Sequence, residues 1–340
     1  MAKRNLIALD LAKSSIHVEV EDLAKHKIIS SRKMNVAALK KFITRQPPST
    51  VAMEACGSAH HWCWLAEACG HEVILLPPQH VTPYRQGHKT DATDTRAIRE
   101  AAKRPDRKEA VKKSPELLAL QTLLRVRGQY VDLKRQRSNE IRMHLLEFGI
   151  RIPKSYAALQ RELMPILADA ENDLPDLVRS LLHRLYVSFL ETAREVKELD
   201  QELQQVAKQC EPCRRLLQLE GVGPVCAILL YTRIGDGSAF KNGKQAAALV
   251  GVTPQQYSTG GVVNLGHIRK RGVDKEARAT LLQGAKSVVH KKMPPTNDKA
   301  IWLRDLIARR GENIAAVALV NKTVRTAWAM LSRGEEYAAA

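Results

Sequence analysis

At 340 residues the chain is long enough for two or three domains with their own cores, taking roughly 100–200 residues for each. Lys plus Arg number 54 against 36 Asp plus Glu, a formal net charge of +18, and that balance points to a polyanionic partner, nucleic acid first. No stretch approaches the ~18 consecutive apolar residues of a membrane span. The opening Met-Ala-Lys-Arg-Asn leads into a strand without a signal-peptide core, and six cysteines are too few for a disulfide framework in a chain this size, so a cytoplasmic protein with free thiols and no membrane partner is expected.

Asn5 to Leu11 is a short apolar run carrying one carboxylate, Asp10, and reads as an interior strand. An ionised Asp in such a place is costly unless a cation compensates it. Ser15 to Asp22 alternates apolar and polar residues, the pattern of a strand with one face in water, and Lys27 to Met34 can be its antiparallel neighbour. Asn35 caps a helix through Val36, Leu39, Phe42 and Ile43 that ends before Pro47 and Pro48. Thr50 to Glu54 is another strand, ending on a carboxylate. Ser58 to Cys69 is a helix closed by Gly70, and His71 to Leu76 a fifth strand closed by Pro77 and Pro78. The order of three strands, helix, strand, helix, strand predicts an α/β domain with a sheet of mixed direction.

Sequential strands often lie side by side, which would bring Asp10 near Glu54. Thr90 caps a helix with apolar positions Ala97, Ile98, Ala101 and Ala102, ended by Pro105. Asp91 and Asp94 stand three apart on it and share a face. Each has a plain alternative: Asp91 suits a helix N-terminus without any metal, and Glu54 alone is an ordinary strand-end charge. Together the four are hard oxygen donors suited to Mg²⁺ or Mn²⁺.

Leu-Asp-Leu-Ala-Lys around Asp10, Met-Glu-Ala-Cys-Gly around Glu54 and Lys-Thr-Asp-Ala-Thr-Asp-Thr-Arg-Ala-Ile around Asp91 and Asp94 resemble the DEDD transposases of the insertion sequence 110 type, relatives of the pilin-inversion recombinase. The resemblance implies an RNase H-like (RuvC-like) domain, with Asp10, Glu54, Asp91 and Asp94 as its metal-binding tetrad.

Pro115 to Glu147 and about Leu177 to Lys208 read as two long amphipathic helices, either an antiparallel coiled-coil arm or two helices of an ordinary core. In Arg214 to Tyr231, Gly221 and Gly223 interrupt two apolar helical stretches and Pro224 suits the first position of the second. That is the pattern of a helix-hairpin-helix, which offers backbone N–H groups to phosphate, or of a tight turn between core helices. Cys210 and Cys213 have zinc-like spacing but no second pair or nearby His to complete four ligands. Domain boundaries of 1–112, 113–210 and 211–340 follow, the last mainly α.

Within Val252 to Gly272, Ser258 and Thr259 precede Gly260 and Gly261 and read as a flexible loop, with Arg269, Lys270 and Arg271 supplying charge for a phosphodiester. The segment is similar to the one carrying the nucleophilic serine of the same family, and its 1111 subgroup shows a comparable Ser-Thr-Gly-Gly and Ile-x-Lys-Arg-Gly. Ser258 is the first choice of nucleophile and Thr259 the alternative; Tyr257 beside it is expected to pack. Three further helices follow, about Asp274 to Lys291, Asp298 to Arg310 and Glu312 to Ser332. The resemblance further implies transposition through a phosphoserine intermediate, action at the nucleoid, a homo-oligomer (dimer or tetramer) and a guide RNA that pairs with donor and target DNA. Rival readings are a water-using RuvC-like nuclease, a phosphotransferase, which the Leu11-Ala12 after Asp10 disfavours, and a non-catalytic nucleic-acid-binding protein.

Overall fold

The computed structural model describes residues 5–88, 90–268, 272–291 and 298–337. Its first elements are β1 (Asn5–Asp10), β2 (Ile16–Asp22), β3 (Lys27–Met34), α1 (Val36–Arg45), β4 (Thr50–Glu54), α2 (Ala59–Ala68), β5 (Glu72–Leu76), α3 (Pro78–Val81) and α4 (Asp91–Lys103). The five strands form one mixed sheet in the order β3-β2-β1-β4-β5. β1 runs antiparallel to β2 and parallel to β4, β4 parallel to β5, and β2 antiparallel to β3; the mixed direction of the sheet and the β2–β3 pairing are as the sequence predicts.

Period-two alternation along the strands builds two cores. Ile7, Leu9, Ile16, Val18, Val51 and Met53 pack beneath α1 and α2 with Leu39, Ile43 and Trp62. Leu6, Ala8, Ala52, Ile74 and Leu76 pack on the other face with Ala97, Ile98, Ala101 and Ala102 of α4. The alternation in β2 does not place one face in water. His17, Glu19 and Glu21 are all buried, because α4 covers that face and brings cations to it. Arg99 meets Glu19 at 2.5 Å and Glu21 at 3.3 Å, and Lys103 reaches Glu21 at 3.2 Å. A strand read by itself shows only that its polar residues share a side, whereas the helix that covers them comes some seventy residues later.

The chain continues through α5 (Pro115–Glu147), α6 (Tyr156–Ala168), α7 (Asp176–Gln209), α8 (Glu211–Leu216), α9 (Pro224–Ile234), α10 (Gly243–Val250), β6 (Pro254–Thr259), β7 (Val262–Ile268), α11 (Lys275–His290), α12 (Asp298–Arg310) and α13 (Glu312–Arg333). Two compact units result, one from the residues up to Leu117 together with those from Leu230 onward, the other Leu118–Leu229. In the second, α5 and α7 run in opposite directions. Arg127 pairs with Asp200 at 2.6 Å, while Ile141 and Leu145 share a core with Leu182, Tyr186 and Phe189, closed by Leu159 and Leu163 of α6. Neither α6 nor α10 is anticipated from the sequence.

In the first unit, α10 and α11 pack on α13 through small residues such as Ala246, Ala247, Ala285, Ala315 and Ala316. Gly251 closes α10 in the left-handed region with φ 75°. A Cβ there would run into Arg278 and Val273, since the Arg278 guanidinium donates to the carbonyls of Val250 and Gly251. Among the described residues no helix is long and apolar enough to cross a membrane.

Candidate active site

Asp10 ends β1 and Glu54 ends β4. In the parallel pairing Leu9 stands beside Met53, so the two carboxylates follow at the next position on neighbouring strands, which lie about 4.8 Å apart. Both alternate to the face that α4 covers. On the other side of Asp10 the register continues through His17 of β2 to Lys33 of β3. Lys33, His17, Asp10 and Glu54 therefore form a row across four strands.

The first turn of α4 adds Asp91 and Asp94. A capping box holds that turn: Thr93 N donates to Thr90 Oγ1 at 3.2 Å and Thr90 N to Thr93 Oγ1 at 2.9 Å. Thr95 Oγ1 donates to the Asp91 carbonyl at 2.7 Å and lies 2.9 Å from His17 Nδ1, tying the turn to the strand row. Thr90→Ala should lower stability by about 1 kcal/mol, the usual loss on removing an N-cap hydroxyl. Chemical denaturation checks this, and an unchanged midpoint would show that the box does not hold the turn.

The electrostatics join three of the carboxylates. Burial pushes the Asp10 carboxyl up, and the charges of Asp94 and then Asp91 push it further, against the smaller opposing effects of His17 and Arg85. The Asp91 carboxyl is held below its ordinary range by the hydrogen bond and charge of Lys33, whose Nζ is 2.6 Å away. Arg85 Nε is ion-paired with Asp94 Oδ1. Among the described residues no group of three or more His, Cys, Asp and Glu side chains stands ready to hold a metal, and two of the four carboxylates are engaged by these cations. The donor types nevertheless suit a hard divalent ion: Asp10 and Glu54 end neighbouring strands, and Asp91 and Asp94 stand in the first turn of the helix that covers their face. Loading would require Asp91 and Asp94 to exchange their cations.

Ser258 and Thr259 lie at the end of β6, not in a flexible loop. Thr259 pairs with Val262 and Ser258 with Val263, and Gly260 and Gly261, with φ 57° and 80°, make a two-residue turn with both central residues in the left-handed region. Gly-Gly between two strand-forming runs is itself a hairpin signal. The two hydroxyls point to opposite faces of the exposed ribbon. Gln256 Nε2 donates to Ser258 Oγ at 2.8 Å, and the Tyr257 ring lies against Gly266, where a Cβ would come within 3.0 Å.

Gly221 is left-handed with φ 76°, Gly223 has open space at its Cβ position, and Pro224 opens α9 after the turn from α8. Arg269, Lys270 and Arg271 lie outside the described residues. His61 and His88 are exposed and His60 is half-buried. His17, Lys33, Arg85 and Thr95 are neighbours of the carboxylates that the sequence does not single out. Only the i, i+4 spacing of Asp91 and Thr95 hints at one of them.

Residues 7–150 match a DEDD transposase family of the IS110 type, and residues 213–300 match the family described as Transposase IS116/IS110/IS902. The chain is 39% identical to a probable family 20 transposase of Pseudomonas aeruginosa, over 96% of each chain. It is 33% identical to the transposase for insertion sequence element IS1328 of Yersinia enterocolitica, over 98% of each. It is 35% identical to the transposase for insertion sequence element IS1111A of Coxiella burnetii, over 92% of this chain and 85% of that one. With relatives this similar along nearly its whole length, the chain belongs to the IS110 family of insertion-sequence transposases, enzymes that cleave and rejoin DNA.

Proposed function

We propose that the chain moves its own element by covalent strand exchange, with Asp10, Glu54, Asp91 and Asp94 holding Mg²⁺ or Mn²⁺ and Ser258 acting as nucleophile. The observation that carries the reading is the placement of Asp10 and Glu54 at adjacent positions on the face covered by α4, whose first turn bears Asp91 and Asp94. A bound divalent cation supplies Lewis acidity, easing loss of a hydroxyl proton and stabilising charge on the scissile phosphate. Ser258 Oγ gives up its proton to solvent, an Oγ–P bond forms, and the P–O bond to the departing strand breaks with its oxygen taking up a proton to leave as a hydroxyl, so one phosphoester is exchanged for another without an energy cofactor.

As consecutive residues of a strand, Ser258 and Thr259 face opposite sides of the ribbon, so only one hydroxyl can face a given phosphate. Ser258, beside the Gln256 amide, is assigned the role. The hydroxyl hairpin and the carboxylates belong to separate elements, and in this reading the tetrad of one protomer meets the serine of another in a dimer or tetramer. The domains are 1–112 (RNase H-like, catalytic), 113–210 (α5 to α7, a coiled-coil arm for assembly) and 211–340. The turn at Gly221 and Gly223 serves as a helix-hairpin-helix on DNA phosphate, with Arg269, Lys270 and Arg271 adding charge. A guide RNA from the element selects donor and target DNA, and the basic balance of the chain suits both nucleic acids. The enzyme acts in the cytoplasm, at the nucleoid.

The test is a denaturing gel of protein incubated with Mg²⁺, DNA bearing the element junction and RNA from the element's flanks. A protein–DNA adduct that survives denaturation and disappears in Ser258→Ala, but persists in Thr259→Ala, is the expected result. Free cleaved ends, with no adduct and no effect of either variant, would leave water as the nucleophile and the hairpin as structure only.

A further inference from the structure

We propose that Arg85 and Lys33 are internal counter-ions of the carboxylate site, which give up Asp94 and Asp91 to a divalent cation and pass to the phosphate backbone of the bound nucleic acid. The inference rests on the metal-binding reading of the four carboxylates. Its basis is where the two cations sit. Lys33 belongs to the strand row that contains Asp10 and Glu54, and its Nζ lies on Asp91. Arg85 stands in the segment leading into α4, and Thr93 Oγ1 holds that segment to the helix by donating to the His88 carbonyl at 2.8 Å. The two carboxylates of the helix are thus each held by one cation.

The quality of the pairing favours exchange over permanence. Arg85 Nε and Asp94 Oδ1 are shielded from solvent and in ion-pair contact, yet neither has a partner in hydrogen-bond geometry. A structural pair this sheltered would normally be aligned, as Arg99 is on Glu19. The Lys33–Asp91 pair is more than half exposed on both sides and of the kind worth little to folding. Each of the two cations balances one carboxylate of the helix turn and only that one. Arrival of a dication neutralises the carboxylates. It frees both cations at the place where a phosphodiester must enter, and a chain of net charge +18 gains two more groups to set against its polyanion.

The experiment uses the full-length protein and two readouts that do not depend on turnover. Mn²⁺ binding is followed by electron paramagnetic resonance without nucleic acid, for wild type, Arg85→Gln, Lys33→Gln, Arg85→Lys and Asp94→Asn. Binding of a labelled mixed-sequence DNA duplex is then measured across a KCl series, once in Mn²⁺ and once in EDTA. Arg85→Gln should bind Mn²⁺ about fivefold more tightly, the scale of a modest ion pair removed as competitor, with Lys33→Gln moving in the same direction and Arg85→Lys near wild type. In Mn²⁺ the slope of log affinity against log salt should fall by about 0.9 for Arg85→Gln, the share of a single neutralised phosphate, while in EDTA it should match wild type. If Arg85→Gln and Lys33→Gln bind Mn²⁺ like wild type while Asp94→Asn does not bind it, the counter-ion role is overturned and the metal site stands. A salt slope in Mn²⁺ that neither variant changes overturns the transfer to phosphate. A wild type that takes up no Mn²⁺ overturns this proposal and the metal reading together.

Discussion

Asp10→Asn should reduce strand cleavage by about a thousandfold or more, the several kcal/mol that a correctly held divalent ion contributes to a phosphoryl transition state. Stability should respond in the opposite sense. The Asp10 carboxyl is half-buried at the end of β1, and burial together with the charges of Asp94 and Asp91 makes its ionised form unfavourable in the folded chain. An isosteric amide removes that cost, so the unfolding midpoint of Asp10→Asn in EDTA should equal or exceed that of wild type. Adding Mn²⁺ should then raise the midpoint of wild type but not of the variant, because only a folded state that binds the ion gains from it. Cleavage assays and thermal melts on the same preparations check both halves. An active Asp10→Asn protein, or an inactive one that is also strongly destabilised, would place Asp10 in the framework of the fold and not in its chemistry.

Arg99→Met is expected to have the largest effect on stability. Glu19 and Glu21 are buried on the α4 face of β2, with side chains only 5% exposed, and the Arg99 guanidinium serves both as well as Glu100. Removing it leaves Lys103 as the remaining described cation against Glu21, and breaking one side of a buried ion pair costs about 3–5 kcal/mol. Urea unfolding followed by tryptophan fluorescence measures the loss. The triple replacement Glu19→Gln, Glu21→Gln, Arg99→Met should recover much of it, since the penalty lies in the stranded charges. A loss under about 1 kcal/mol for the single variant would mean that water reaches this face.

The same network sets a pH dependence. Burial alone would raise the Glu100 carboxyl, but hydrogen bonds and charge from Lys103 and Arg99 outweigh it and hold the group below its ordinary range. A depressed folded-state value contributes stability that is fully present above the unfolded-state value, near 4.3 for a glutamate, and is lost as pH falls through the folded value. Wild type should therefore lose stability on acidification below about pH 4, and more steeply than Arg99→Met, in which that hydrogen bond is gone.

Much of the first domain is legible in the chain order. Apolar runs with period-two or helical spacing, Asn35 and Thr90 as caps, and Gly70 and the Pro pair after β5 as stops are local signals, and local signals survive in a linear reading. The four carboxylates can be named for the same reason, since each sits at the end of a recognisable strand or in the first turn of a capped helix. Even the mixed direction of the sheet follows from the order of strands and helices. The hairpin at Ser258 and Thr259 carries its own marker in Gly260 and Gly261, although paired glycines suit a flexible loop equally well until their strands are seen to pair.

What the tertiary structure alone decided is which side of each element is covered, and by what. The polar face of β2 looks like a wet face until α4 is laid across it, and then Glu19 and Glu21 require Arg99 and Lys103 as partners. Lys33 and Arg85 are two among 54 basic residues until strand register and the turn before α4 set them against Asp91 and Asp94. Spacing along a chain specifies the face a residue shares with its near neighbours, whereas the dielectric and the counter-charges it meets come from segments far away in sequence. For that reason the four candidate carboxylates can be named from the sequence, while the cations paired with Asp91 and Asp94 were determined by the packing of the sheet against its helix.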